Sequence, residues 1–388
     1  MNTTLSNTPL DSAPLNNEPL NSPPPTRQRI LGLDLLRMIS MYMVLLLHVL
    51  GQGGVLNAID KENAGGQFSV AWLIEIAAYC AVNCYALISG YVGIKSKFKY
   101  SNIITLWLQV VFYTSLITLF YSLTNPSVIT TNHYWVAIFP VMKRAYWYFS
   151  SYFCIFFFIP AFNFIVNNMP KKQIRALVIT IIAIFSLIYT LTRSTIIGSA
   201  IDDIFLLSKG YSPLWLALLY IIGAYISKYK DDFKIRPIAC FTCYFVCVFI
   251  TWLEKLILPR SVLVGYTSPT ILLCGISLLL GFSQLKIGFK PARAVIGFLS
   301  PLSFGVYLIH TNPLVWNNFM KQRYIEFANF PIWKLAIAVF LAALCLYLIC
   351  SAIDLVRHLL FKLLHIKAGL DKAEKKLCKN LWHESTTP

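Results

Sequence analysis

Three ionisable side chains, Asp34, Arg37 and His48, sit inside one apolar run from Leu31 to Leu50. Lipid should exclude such groups, so each is a candidate for function. On a helix the step from Arg37 to His48 makes about three turns, and Asp34 lies within about 60° of Arg37. All three therefore share one face, which must turn toward protein or a water-filled cavity. The rise from Arg37 to His48 is about 16 Å, roughly half the hydrocarbon thickness. The two cannot touch, and they are placed to serve two parts of one long ligand. Histidine is suited to proton transfer near neutral pH. Each residue also has a plain structural use: Asp34 as a helix cap, Arg37 snorkelling to headgroups, His48 as a buried, satisfied ring.

A histidine base needs an orienting partner on its second ring nitrogen, and Glu75 in the next apolar run is the candidate. Asn83, Ser89 and Tyr91 follow Glu75 in that run, and His310 lies near the end of a later one. The stretch Lys143-Arg144-Ala145-Tyr146-Trp147-Tyr148 is equally well explained as an aromatic belt at a membrane surface. The Cys residues lack nearby His or acidic partners at ligand spacing, so they are expected to pack as small hydrophobes, with no metal.

The elements that position these residues follow from composition. Of 388 residues, 57% are hydrophobic and only 13% charged, with a net charge of +17. That excludes a soluble enzyme, a disordered chain and a disulfide scaffold, and indicates a chain dissolved in lipid. Apolar runs lie near 31–50, 70–93, 103–123, 146–166, 174–192, 213–227, 237–258, 268–283, 294–312 and 332–353. Each is close to the length of a membrane-crossing helix. The runs are continuous rather than alternating, which disfavours a β-barrel. The expectation is an all-α polytopic bundle of about ten transmembrane helices with both termini cytoplasmic. Under that topology 22 basic residues fall on the inner side and eight on the outer. This distribution accounts for the positive charge without nucleic acid. Residues 1–28, rich in Pro and Asn, read as a disordered cytoplasmic tail. Residues 29–355 read as the membrane domain, and 356–388 as a basic amphipathic segment on the inner surface.

At the level of motifs, Arg29-Ile-Leu-Gly-Leu-Asp34-Leu-Leu-Arg37, then ten residues and His48, resembles the first helix of the membrane-bound acyltransferase-3 family. Ile88-Ser89-Gly90-Tyr91 is similar to the family's Ser-Gly-aromatic helix end. Tyr146-Trp147-Tyr148-Phe149 with Pro160 is similar to its Trp-Tyr-Phe helix. Ser300-Pro301-Leu302-Ser303 through Tyr307-Leu308-Ile309-His310 is similar to its late Ser…Tyr-Leu-x-His segment. The resemblance spans about 29 to 355 and is nearest to the short, single-domain members of the enterobacterial-common-antigen acetyltransferase type. It implies O-acetylation of bacterial surface polysaccharide or lipopolysaccharide at the inner membrane, with acetyl-CoA as co-substrate and no bound cofactor. His48 would be the essential histidine, and Arg37 would help hold the donor. Many members carry Arg-x-x-Arg after the second helix. Here the segment reads Lys95-Ser96-Lys97-Phe98-Lys99, point charges without bidentate geometry.

The expected partners are thus membrane lipid, acyl-CoA and a glycan or glycan-lipid acceptor. Asn83, Tyr91, Trp147, Tyr307 and His310 are the candidate acceptor or oxyanion residues. His48 acts either as general base or as transient acyl carrier. One tension is geometric: His48 falls near the outer end of its helix, so a cytoplasmic thioester must reach deep into the bundle. The rival reading is a polytopic transporter or translocase of a glycan-lipid. It is disfavoured by the lack of convincing half-to-half similarity.

Overall fold

The computed structural model describes residues 29–193, 203, 205–258 and 261–384, with side chains described up to 378. The segment 1–28 therefore lies outside the described residues. Leu31–Pro388 forms one compact unit. Among the described residues the regular structure is entirely helical. That is what lipid demands of a chain whose apolar runs do not alternate.

The principal helices, in chain order, are α1 Leu31–Leu47, α2 Gly65–Ala78, α3 Ala81–Gly93, α4 Tyr100–Thr124, α5 Trp147–Phe156, α6 Ile159–Asn168 and α7 Lys171–Ile182. They continue as α8 Pro213–Lys228, α9 Pro237–Ile257, α10 Pro269–Ser283, α11 Lys290–Leu299, α12 Ser303–His310, α13 Ile332–Leu363 and α14 Ile366–Glu384. Every apolar run falls on one or two of these helices. Among the described residues seven stretches are long and apolar enough to cross a membrane, or eight with α5 and α6 taken as one span bent by 59°. The remaining two, α8 and α10, are shorter apolar helices.

Several breaks have visible causes. Pro160 occupies the first turn of α6, where its missing N–H is tolerated but the preceding helix cannot continue smoothly. Pro301 likewise interrupts the run at 294–312, splitting it into α11 and α12 through a 3₁₀ turn. The end of α1 widens into a π-turn, His48–Gln52, whose closing bond runs from the Gly53 N–H to the His48 carbonyl at 2.7 Å. Such turns recur at functional sites because they re-aim side chains.

Glycines set the closest helix approaches. A Cβ on Gly90 would meet the Tyr220 carbonyl oxygen at 1.9 Å, and one on Gly223 would meet the Leu87 carbonyl oxygen at 2.1 Å. α3 and α8 thus pack backbone against backbone, as small residues permit in membranes. The Ser-Gly-aromatic motif has a packing reason at its glycine.

The boundary expected at 355 falls inside α13, which runs unbroken to Leu363. At its far end Asp354 and Arg357 form a buried bidentate pair. Arg357 Nε and Nη2 donate to the two carboxylate oxygens at 2.9 and 2.6 Å, and the Tyr113 hydroxyl donates at 2.7 Å. The carboxylate lies where a Cβ on Gly305 would be, so it braces α12. The following helix α14 docks on the start of α4. Glu374 accepts from the Tyr100 and Ser101 backbone N–H groups, and Asp371 accepts from the Ser101 hydroxyl at 2.6 Å. These carboxylates satisfy the otherwise orphaned N–H groups at a helix start.

Candidate active site

His48 is delivered by the π-turn at the end of α1, and His310 by the last turn of α12. They meet across 262 residues of chain: His48 Nδ1 and His310 Nε2 are 2.9 Å apart. His310 Nδ1 lies 2.6 Å from the Val306 carbonyl oxygen, one helical turn back. A carbonyl can only accept, so His310 carries its proton on Nδ1 and its Nε2 is an acceptor. The His48 proton must then sit on Nδ1, pointing at His310. His48 Nε2 is left unprotonated, and it makes no hydrogen bond among the described residues. One backbone carbonyl thus fixes the tautomers of two imidazoles and exposes one basic nitrogen.

The position of α12 is secured by several contacts. The Tyr146 hydroxyl donates to the Leu308 carbonyl at 2.9 Å and accepts from Asn312 Nδ2 at 3.1 Å. Ser303 and Tyr347 pair their hydroxyls at 3.3 Å. Trp316 packs edge-on against the His48 ring, with centroids 4.8 Å apart.

His48 stands where two cavities meet. The smaller, about 110 Å³, is lined along α1 by Met41, Val44, Leu47 and His48, with Tyr85, Tyr148 and Phe304 opposite. Arg37, Met41, Val44 and His48 form one helical stripe, spaced four, three and four residues apart. The Tyr85 hydroxyl donates to the Arg37 carbonyl at 2.7 Å, so this cavity points along the stripe toward Arg37. The larger, about 530 Å³, lies at the other end of α1, with Gly51, Gln52, Glu75, Thr311, Trp316 and Asn317 in its wall. Trp147, Tyr211, Tyr266 and Tyr307 line both. The rings of Trp147, Tyr211 and Tyr266 form a continuous wall, with Trp147 to Tyr211 at 4.6 Å and Tyr211 to Tyr266 at 4.9 Å.

The expected residues divide clearly. His48, Glu75, Trp147 and Tyr307 are brought together at the cavities, and His310 sits directly behind His48. The orienting position on His48, expected for Glu75, is taken by His310; Glu75 instead faces the larger cavity. Asp34, expected as catalytic, is not brought to His48. It accepts from Arg37 Nη1 at 2.6 Å, at the opposite end of α1, and about 21 Å of helical rise separates it from His48. Asn83 is spent on structure: its Nδ2 donates to the Tyr266 carbonyl at 2.8 Å and its Oδ1 accepts from Trp215 Nε1 at 3.1 Å. It therefore shapes the aromatic wall rather than meeting a ligand. Tyr91 is buried on α3 and lines neither cavity. Lys95 and Lys97 are exposed in the turn after α3. Lys99 lies 3.8 Å from Asp371 of α14, a carboxylate that it shares with Lys367 at 3.2 Å.

Trp316 and the Asp354–Arg357 pair went unnoticed in the sequence. Trp316, six residues after His310, carries no polar signal beyond the Asn312-Pro313 helix start that precedes it. Arg357 reads as one more inner-side basic residue until α13 is seen to bury it.

The model of the acyltransferase domain, of the acyltransferase-3 family, matches residues 30–353. The chain belongs to this family. Among curated proteins and among solved structures, nothing matches. The family match covers the whole of α1 to α12, including Arg37, His48 and His310, and ends one residue before Asp354. An acyltransferase-type, multi-pass helical membrane protein is therefore the coarse identity of the chain.

Proposed function

We propose that the protein transfers an acetyl group from cytoplasmic acetyl-CoA to a hydroxyl of a cell-surface glycan or its lipid-linked precursor, at the bacterial inner membrane. The observation that carries this is the unprotonated His48 Nε2 at the junction of two unlike cavities. In this reading the end of α1 bearing Arg37 faces the cytoplasm, consistent with the basic residues there. Arg37, whose Nη1 donates to Asp34 at 2.6 Å, anchors the anionic head of the donor. The thin thioester arm lies along Met41, Val44 and Leu47, and the narrow bore favours a short acyl chain. That route answers how a cytoplasmic thioester reaches a histidine near the outer end of its helix.

The acceptor hydroxyl enters from the larger cavity. His48 Nε2 takes its proton as the oxygen attacks the thioester carbon. The imidazolium that forms is held through Nδ1–H by His310. Tyr307 and Trp147, with a hydroxyl and an indole N–H at the junction, are the donors available to the oxyanion. Collapse expels the CoA thiolate, which takes the proton back from His48. An acetyl-His48 intermediate uses the same nitrogen and differs only in kinetics.

The test is transfer of radiolabelled acetyl from acetyl-CoA, by the purified protein in nanodiscs, into surface polysaccharide from cells lacking the gene. The wild-type protein incorporates label and His48→Ala does not. Equal incorporation by both refutes the role of His48, and none by either refutes the activity.

A further inference from the structure

The larger cavity contains a group that the histidine relay leaves unused. Glu75 is 7% exposed, and its Oε2 is buried without a hydrogen-bond partner among the described residues. The oxygens of a buried carboxyl group can accept hydrogen bonds and are expensive to leave unpaired. Its surroundings are aromatic and neutral. Tyr79, Tyr211, Tyr266, Trp147 and Trp316 share the cavity with it, and no Lys or Arg lines the space. Among the described residues no ion pair includes Glu75, so the protein itself supplies no counter-charge.

We propose that Glu75 is the acceptor-reading residue. Its carboxylate takes hydrogen bonds from hydroxyls adjacent to the one being acylated, while the aromatic wall packs against the face of the sugar ring. The ligand class is a polyol ring with a free hydroxyl beside the reacting one. This rests on the acyl-transfer reading above and adds a selectivity to it. Three observations carry it. The cavity, at about 530 Å³, falls within the range of small-ligand sites. Flat aromatic faces beside a carboxyl oxygen that lacks a partner among the described residues are the complement of a ring that is apolar on its faces and donor-rich at its edge. Glu75 lines the larger cavity and not the narrow one, so it meets the acceptor and not the thioester arm.

Two variants test this. Glu75→Gln keeps the shape and replaces one accepting oxygen with an NH2 group, which can only donate. Gly51→Ala adds a methyl in open space, because a Cβ there finds nothing nearer than Glu75 Oε1 at 3.9 Å. The substitution fits the fold and intrudes on the volume in front of the carboxylate. Acceptor-dependent CoA release is measured with acetyl-CoA and with polysaccharide prepared from cells lacking the gene. Both variants raise the apparent KM for polysaccharide by about ten-fold, the upper part of what one buried hydrogen bond is worth. The KM for acetyl-CoA stays as in the wild type. An unchanged polysaccharide KM in both overturns the proposal while the acyl-transfer reading stands. So does a raised acetyl-CoA KM, or a loss confined to kcat. Wild-type protein that releases no CoA with this polysaccharide overturns both readings together.

Discussion

Replacing His310 with Ala tests the relay where it is most exposed to failure. In the structure His310 does two things for His48: it accepts the Nδ1 proton at 2.9 Å, and through the Val306 carbonyl it decides which nitrogen of His48 is basic. Removing it leaves a buried N–H donor without a partner, which costs about 1–3 kcal/mol. If that loss falls wholly on the transition state, where His48 becomes cationic, the rate drops about 5- to 150-fold. The direct loss of the base in His48→Ala is larger, about 10²–10⁴. His310→Gln should fall between wild type and His310→Ala. An amide can donate to the Val306 carbonyl with its nitrogen and accept from His48 with its oxygen. Acceptor-dependent CoA release by purified protein, followed with a thiol reagent, ranks the variants. The expected order is wild type, His310→Gln, His310→Ala, His48→Ala. Wild-type kcat in His310→Ala, with the protein intact by gel filtration, refutes the tautomer argument.

Further outcomes follow from other parts of the molecule. Arg37→Ala should raise the KM for acetyl-CoA while leaving that for polysaccharide unchanged, and Asp34→Asn should do so more weakly, because Asp34 acts on the donor through the guanidinium it holds. Gly90→Ala should cut thermal stability and membrane yield, since its methyl would sit 1.9 Å from the Tyr220 carbonyl oxygen and overpacking costs about 1–3 kcal/mol or more. Arg357→Ala should destabilise by about 3–5 kcal/mol, read as a fall in melting temperature, because it strands the fully buried Asp354. The Ser101 hydroxyl, with Lys367, holds the Asp371 carboxyl below its ordinary range. Its folded value is thus lower than its unfolded one, so the docking of α14 is fully present above the usual Asp value of about 3.9 and fades as pH falls below it. Hydrogen exchange in α14 at pH 7 and at acid pH reads that change directly, and Asp371→Asn should weaken its pH dependence, with Glu374 carrying the remainder.

Much of this was legible before any coordinates. The ten apolar runs fall on helices because their hydrophobicity is continuous and lipid allows few alternatives. The stripe of Arg37 and His48 is visible because helical periodicity is local: eleven residues bring both to one face. What the sequence hid is long-range. No local rule places His310 against His48 from 262 positions away, so the sequence points to Glu75 in the next apolar run, where the structure puts His310. Asn83 looked like a free donor, yet both ends of its amide hold Tyr266 and Trp215. Lys99 looked like a phosphate contact, yet an aspartate on the last helix stands beside it. Arg357 was counted among the inner basic residues, because a buried partner three positions earlier on the same helix is invisible until the helix is known to continue. The errors share one cause: polar residues in a membrane protein are settled by which helices meet, and composition does not reveal that.

The most direct test of the account is the O-acetyl content of purified surface glycan, measured by NMR, from cells carrying the wild-type gene, no gene, or His48→Ala. The account predicts acetyl signals in the first and their absence in the other two, with His48→Ala present in the membrane at wild-type level. Acetyl signals of full intensity from the His48→Ala cells would contradict it.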